Sequence, residues 1–149
     1  MKIAIGNDHT AVELKNIIKQ HLENNNHEVV DFGVNSTTTS NYAEVAHLVS
    51  KEIQNGNFEN GILICGTGIG ISIAANKHKG IRAAACSEPY SAKLSKMHNN
   101  SNVLAFGARV VGSELAKMIV DEWINAKFEG ERHKERLNTI TKIEQNELA

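Results

Sequence analysis

A cysteine followed by alternating glycines, Cys65-Gly66-Thr67-Gly68-Ile69-Gly70, is the segment of this sequence best suited to chemistry. It lies between an apolar run and the start of a helical pattern, so its backbone N–H groups can turn toward one anion. A thiol at a helix N-terminus deprotonates more readily than a free one, because the N–H dipoles favour the thiolate. The segment predicts an anion-binding turn beside a base or nucleophile. A tight turn without a ligand, with Cys65 buried for packing, is the alternative.

The common nucleotide-binding motifs do not fit this turn. A P-loop ends in Gly-Lys followed by Ser or Thr, whereas Gly70 is followed by Ile71 and Ser72. A dinucleotide fingerprint requires its third glycine where Ile71 stands. A nucleotide-binding module without catalysis stays open as a rival, because Glu88 lies about 20 residues further on, where a ribose-binding acid can stand.

Other polar residues could join Cys65. Asp8 and His9 directly follow the first apolar run, where they could bind a ligand or simply cap a helix and face solvent. His98 and Asn99 stand at a predicted helix end, where a histidine can act as an acid or merely complement the helix dipole.

Arginines supply a candidate phosphate site. Arg132 and Arg136 are four residues apart on a predicted helix and share a face, and Arg109 follows another strand. Two such guanidinium groups can bracket a phosphate by charge-assisted hydrogen bonds. With Glu131 and Glu135 nearby, they could equally form a solvated charge cluster.

The bulk composition excludes several classes of protein. The 149 residues carry a formal net charge of -1, which gives no reason to expect nucleic acid or an anionic membrane as partner. We expect no membrane span and no signal peptide, and a reduced, cytoplasmic setting for Cys65 and Cys86. The seven histidines are scattered without ligand spacing, so we expect no metal. Cys86 lacks a glycine turn and is interpreted as a packing residue.

Strand and helix patterns alternate along the chain, with Thr10 and Ser87 as expected N-caps. The predicted strands are Lys2–Ile5, Glu28–Phe32, Ile62–Cys65, Ile81–Cys86 and Val103–Phe106. The predicted helices are approximately Ala11–Glu23, Tyr42–Gln54, Ile71–Lys77, Ser87–Met97, Ser113–Ala126 and Arg132–Glu147. This alternation predicts one α/β domain over residues 1–149, a five-stranded parallel sheet with helices on both faces. Ligands of such sheets bind at the carboxyl ends of the strands, where Gly6–Thr10, Gly66–Gly70, Ser87–Tyr90 and Gly107–Arg109 fall.

Nearly the whole chain, in order, resembles the ribose-5-phosphate isomerase B family. The resemblance rests on Gly6–His9, Gly61–Lys77, Gly80–Ala92, His98-Asn99, Asn102–Gly112 and Gly130–Arg136. It implies a Rossmann-like three-layer α/β/α sandwich with a C-terminal helix. It also implies interconversion of D-ribose 5-phosphate and D-ribulose 5-phosphate through an enediolate, in the non-oxidative branch of the pentose phosphate pathway. Relatives that act on six-carbon substrates such as allose 6-phosphate keep a second substrate class open.

The resemblance also implies roles for individual residues. Cys65 is the expected base and His98 the expected ring-opening acid. The expected anion hole comprises Gly66, Thr67, Gly68, Ile69 and Gly70, with Thr67 as its side-chain member. The expected ligands of the sugar and its phosphate are Asp8, His9, Asn99, Arg109, Arg132 and Arg136. No metal or cofactor is expected, and the protein is expected to be a homodimer or tetramer whose sites are shared between chains. Asn100 departs from the family, because an acidic residue is expected there.

Overall fold

The computed structural model describes all 149 residues and contains five strands and six α-helices. The strands are β1 (Lys2–Asn7), β2 (Glu28–Asp31), β3 (Asn60–Cys65), β4 (Ala83–Ala85) and β5 (Val103–Gly107). The helices are α1 (Val12–Asn24), α2 (Tyr42–Gln54), α3 (Ile69–Ala75), α4 (Pro89–Asn99), α5 (Ser113–Asn125) and α6 (Arg132–Glu144). A short 3₁₀ turn, His9–Ala11, connects β1 to α1.

The five strands form one parallel sheet in the order β2-β1-β3-β5-β4. Helices cover both faces because successive side chains of a strand point to opposite sides. Ile62 and Ile64 of β3 belong to the core shared with α1, α4 and α5, whereas Leu63 and Cys65 pack with α2 and α3. The three-layer α/β/α architecture predicted from the sequence is confirmed, and β3 is its central, fully buried strand.

Several element ends differ from the sequence prediction. Thr10 does not cap α1; Asp8 caps the 3₁₀ turn instead, since its carboxylate accepts the Thr10 N–H. Ser87 does not cap α4, because the Glu88 carboxylate accepts the Ser91 N–H and Pro89 occupies the first helical position. Those hydrogen bonds from Ser91 lower the pKa of Glu88. Helix α3 begins two residues early, at Ile69, so the end of the glycine turn is already helical.

Helix α6 packs lightly on the rest of the chain. Its one buried residue is His133, while Ile140 and Ile143 of its apolar stripe are 46% and 57% exposed. The carboxylate of Glu144 accepts the Gly80 N–H and ties the end of the helix to the loop before β4. None of the helices is both long enough and apolar enough to cross a membrane.

Candidate active site

Cys65 ends the central strand, and the glycine turn folds back over its thiol. The Gly68 N–H donates a hydrogen bond to the Cys65 Sγ over 3.1 Å, and the residue is 4% exposed. An N–H group that points at sulfur favours its negative form. The N–H groups of Thr67 and Gly70 form no hydrogen bond within the chain, so they can donate to a bound oxyanion. The turn therefore combines a thiol with free donors.

Two glycines press this turn against the end of β5. Gly68 has a φ of +78°, and a Cβ there would lie 2.7 Å from the Phe106 backbone. A Cβ on Gly107 would lie 2.6 Å from the Thr67 Cα. No larger residue fits either position without moving the backbone, because real Cβ contacts are longer than this. The position of the free N–H groups is thus fixed by close backbone packing.

Polar residues from the segments after β1 and after β5 lie near Gly66, where a Cβ would be 3.7 Å from the Thr10 hydroxyl. Asp8 is 4% exposed, and its carboxylate accepts both the N–H and the hydroxyl of Thr10, the latter over 2.6 Å. The Arg109 side chain runs past Gly66, where a Cβ would lie 3.8 Å from its Nη1. The structure thus brings Asp8 and Arg109 to the glycine turn as the sequence predicted. Ser87–Tyr90 follows the edge strand β4 instead, and no hydrogen bond joins it to the turn.

His9 and Tyr42 complete the carboxyl edge of the sheet. The Ser40 N–H donates to Nδ1 of His9 over 3.1 Å, so a neutral His9 carries its proton on Nε2, which can donate to a ligand. The Tyr42 ring covers Gly70, where a Cβ would lie 2.7 Å from the Tyr42 Cζ. Sequence reasoning missed Ser40 and Tyr42, since nothing in their local sequence shows that the loop after β2 folds over the turn.

A second group of candidate residues gathers around His98 in the last turn of α4. Its ring stacks on that of His133 from α6, with the centroids 4.3 Å apart and 9° between the planes. Glu129 lies between them, 3.9 Å from Nε2 of His98 and 3.5 Å from Nε2 of His133. Burial, followed by the charge of Arg132, lowers the pKa of His133. Although the histidines are scattered along the sequence, α4 and α6 bring together His98 and His133, which are distant in sequence.

The remaining phosphate-binding candidates lie with this second group. Arg132 and Arg136 occupy the exposed N-terminal half of α6, on either side of buried His133 in the sequence. Asn99 is the last residue of α4. Asn100 then adopts a φ of +45° and closes the helix through its backbone N–H. Asparagine tolerates this left-handed conformation. The conformation therefore explains why an asparagine stands at position 100, without any role beside His98.

The two groups lie at opposite edges of the sheet. Near the end of α4, the Lys96 Nζ donates to the Asn60 Oδ1 over 2.5 Å, which places this helix end beside the start of β3. Cys65 is at the other end of the same strand, five residues and roughly 16 Å away at about 3.3 Å per residue. His98 and Cys65 therefore do not meet within one chain.

A family model described as Ribose/Galactose Isomerase matches residues 3–140 of this chain. The chain belongs to that family. It is 56% identical over 144 residues to ribose-5-phosphate isomerase B of Escherichia coli K12, with 97% of each chain covered.

Solved structures of other members have the same fold as this isomerase-family chain. Ribose-5-phosphate isomerase B of Clostridium thermocellum superposes with a TM-score of 0.96 and 46% identity, covering 98% of this chain and 99% of that one. The Mycoplasma genitalium enzyme, solved with bound ribulose 5-phosphate, gives a TM-score of 0.92 and 40% identity, covering 97% and 96%. The resemblance inferred from the sequence motifs is confirmed.

Cys86, the second cysteine of this isomerase-family chain, has a different environment from Cys65. Burial, aided by the charge of Glu88, raises the pKa of Cys86 to about 11. A thiol of that kind stays protonated near neutral pH and is a poor base. The structure thus agrees with the sequence-based interpretation of Cys86 as a packing residue.

Proposed function

We propose that this chain interconverts D-ribose 5-phosphate and D-ribulose 5-phosphate through an enediolate, with Cys65 as the base. The observation that carries the proposal is the Cys65 thiol at the end of β3, held by the Gly68 N–H beside unpaired N–H groups. Aldose–ketose isomerisation needs this combination of a base and donors for an adjacent oxyanion.

Ring opening comes first, because the aldose exists mainly as a furanose. His98 is the proposed acid for this step, since an imidazole can exchange protons near neutral pH with the ring oxygen and the anomeric hydroxyl. Its side chain is 33% exposed and is therefore accessible to a substrate.

Proton transfer follows once the chain is open. Cys65, as thiolate, removes the C2 proton and returns it to C1, while the hydroxyl proton passes from O2 to O1 of the enediolate. The N–H groups of Thr67 and Gly70 stabilise the enediolate oxygens, each contributing about 3 kcal/mol. Gly68 and Ile69 contribute differently, because the Gly68 N–H is directed at the thiol and the Ile69 N–H at the Thr67 hydroxyl.

We further propose that each site is built from two chains of a homodimer or tetramer. The carboxyl edge of one chain supplies Cys65 and the glycine turn, with Asp8, His9 and Arg109 as substrate ligands. The partner supplies His98 and Asn99 and the Arg132–Arg136 pair, which would hold the phosphate and orient the substrate. The argument rests on the length of β3, which separates the two groups.

Each chain is proposed to act as one domain over residues 1–149. The two buried, unpaired cysteines suit the reducing cytoplasm.

A direct isomerase assay tests the proposal. The purified protein should convert ribose 5-phosphate faster than allose 6-phosphate, and either sugar phosphate should raise its melting temperature. Stabilisation by NAD or ATP alone, without turnover of either sugar phosphate, would instead support the nucleotide-binding module. Turnover of allose 6-phosphate alone would assign the chain to the six-carbon substrates.

A further inference from the structure

We propose that His98, His133 and Glu129 form a binding site for a zinc-class transition-metal ion, and that an ion bound there inhibits the isomerase. The inhibitory half of this inference rests on the proposed function, whereas the binding half does not. The three side chains come from the end of α4, from α6 and from the segment before α6.

The donor atoms are already close together. One ligand atom from each of the three residues lies within 4.8 Å of the other two. The two oxygens of Glu129 are divided between the histidines, with Oε1 toward His98 and Oε2 toward His133. Zinc binds imidazole nitrogen and carboxylate oxygen at about 2.0–2.2 Å. Side-chain rotations that move the donor atoms by roughly an ångström would therefore bring all three within bonding distance of one ion.

His133 supplies a second, independent observation that favours a ligand here. It is 4% exposed, and its Nε2 is fully buried without a hydrogen-bond partner. The nearest acceptor, Glu129, is 3.5 Å away, beyond a good hydrogen bond. A buried nitrogen left in this way destabilises the fold, and an ion on Nε2 would offset that cost.

Binding requires one ring to move. The lone pair of an imidazole nitrogen lies in the ring plane, and the two planes here are almost parallel. His98 can tilt, because it lies in the last turn of α4 and its side chain is 33% exposed, whereas the His133 side chain is only 5% exposed. Glu129 is also accessible, at 38%, so an ion can enter from solvent.

The donor set selects the class of ion. Two imidazoles and one carboxylate suit zinc, nickel, copper or cobalt, while magnesium and calcium prefer oxygen ligands. Three protein ligands leave a coordination position open. Arg132 and Arg136 add positive charge nearby, which weakens cation binding and favours a reversible inhibitor over a resident cofactor. Coordination of Nε2 of His98 would remove the proton site proposed for ring opening.

Cobalt(II) absorption provides the binding test, on the full-length protein after removal of metals by dialysis. We expect visible d–d bands without a thiolate charge-transfer band, and the same affinity in Cys65→Ala. Glu129→Gln and His133→Ala should weaken cobalt binding at least about tenfold. Loss of a residue that only supports a metal ligand already weakens metal binding by about that factor, and these two residues are proposed as ligands themselves. His21→Ala is the matched control, because His21 pairs with Asp121 at 2.7 Å without a third donor, and it should bind as the parent does.

Zinc inhibition provides the second test. The zinc concentration that halves the rate should rise at least about tenfold in Glu129→Gln, with each protein compared with its own metal-free rate. Glu129 is partly exposed, so this variant should fold even if His133→Ala does not. Unchanged cobalt affinity in Glu129→Gln, or loss of binding in Cys65→Ala, would overturn the site. Specific binding without inhibition would refute the inhibitory half, and specific binding in a protein without isomerase activity would refute the proposed function alone.

Discussion

Mixing two inactive variants tests whether the catalytic site is shared between chains. Cys65→Ala removes the proposed base and His98→Asn removes the proposed acid. Cys65 ends β3, whereas the helix that carries His98 ends beside the start of that strand, roughly 16 Å away. A site that draws one residue from each chain is intact only when its cysteine comes from the His98→Asn chain and its histidine from the Cys65→Ala chain. Random exchange of equal amounts makes about one quarter of the sites intact.

The assay is the rate of ribose 5-phosphate isomerisation before and after exchange. We expect the mixture to rise from near zero to about 25% of the unmodified rate. Exchange is verified independently by co-purification of differently tagged chains.

A reciprocal mixture is the control. When the unmodified chain is mixed with a Cys65→Ala/His98→Asn double variant, every mixed pair loses both sites, so the rate should fall by about half on exchange. A site within one chain predicts no rescue in the first mixture and no loss in the second. Either result, with exchange demonstrated, would refute the argument from the strand geometry.

Further measurements test the roles of the two cysteines, metal independence, the Arg136 side chain and the buried Lys96. Cys65→Ala should lower kcat by at least about 10²–10⁴-fold at an unchanged melting temperature, whereas Cys86→Ala should alter mainly stability; equal kinetic losses would contradict the assignment. Prolonged EDTA treatment should leave the isomerase rate undiminished, and a loss restored by one divalent ion would contradict metal independence. Arg136→Ala should raise KM more than it lowers kcat in steady-state assays, because phosphate binding is common to ground and transition states. Burial lowers the pKa of Lys96 to about 8, whereas the pKa in the unfolded chain is about 10.4. Between these pH values Lys96 is protonated in the unfolded chain but not in the folded one, so the free energy of unfolding should rise with pH. Denaturant unfolding over that window should show this rise, and Lys96→Met should reduce it.

The strands and most helices could be predicted because the pattern of burial follows the sequence. The uninterrupted apolar run that ends at Cys65 is buried on both faces, as expected for the centre of a parallel sheet. Strand β4 is shorter than predicted, at three residues, because apolar character alone does not show where an edge strand stops pairing. The caps were misplaced because either Thr10 or Asp8, and either Ser87 or Glu88, has a side chain able to accept a helix N–H.

The carboxyl-edge part of the site followed from one rule, that the carboxyl ends of parallel strands converge. Asp8, Cys65 and Arg109 each lie at or just after the carboxyl end of a strand, so their proximity needs only the sheet order. No such rule predicts the cluster of His98, Glu129 and His133. It depends on how α6 crosses the end of α4, which is set by packing between residues more than 30 positions apart and leaves no local pattern.

The two edges are also fixed in different ways, and this bears on how the site works. Close backbone contacts at Gly68 and Gly107 fix the turn beside Cys65 before any partner arrives. The His98 edge depends instead on side-chain stacking between α4 and α6, a helix whose Ile140 and Ile143 remain exposed on a single chain. Burial of that stripe by a second chain would stabilise α6 and with it Arg132 and Arg136, because apolar surface removed from water contributes about 25 cal/mol per Å². Association would then do more than bring the proposed base and acid together, since it would also order the half of the site that is proposed to bind phosphate. Activity per chain should accordingly fall on dilution below the dissociation constant of the proposed dimer.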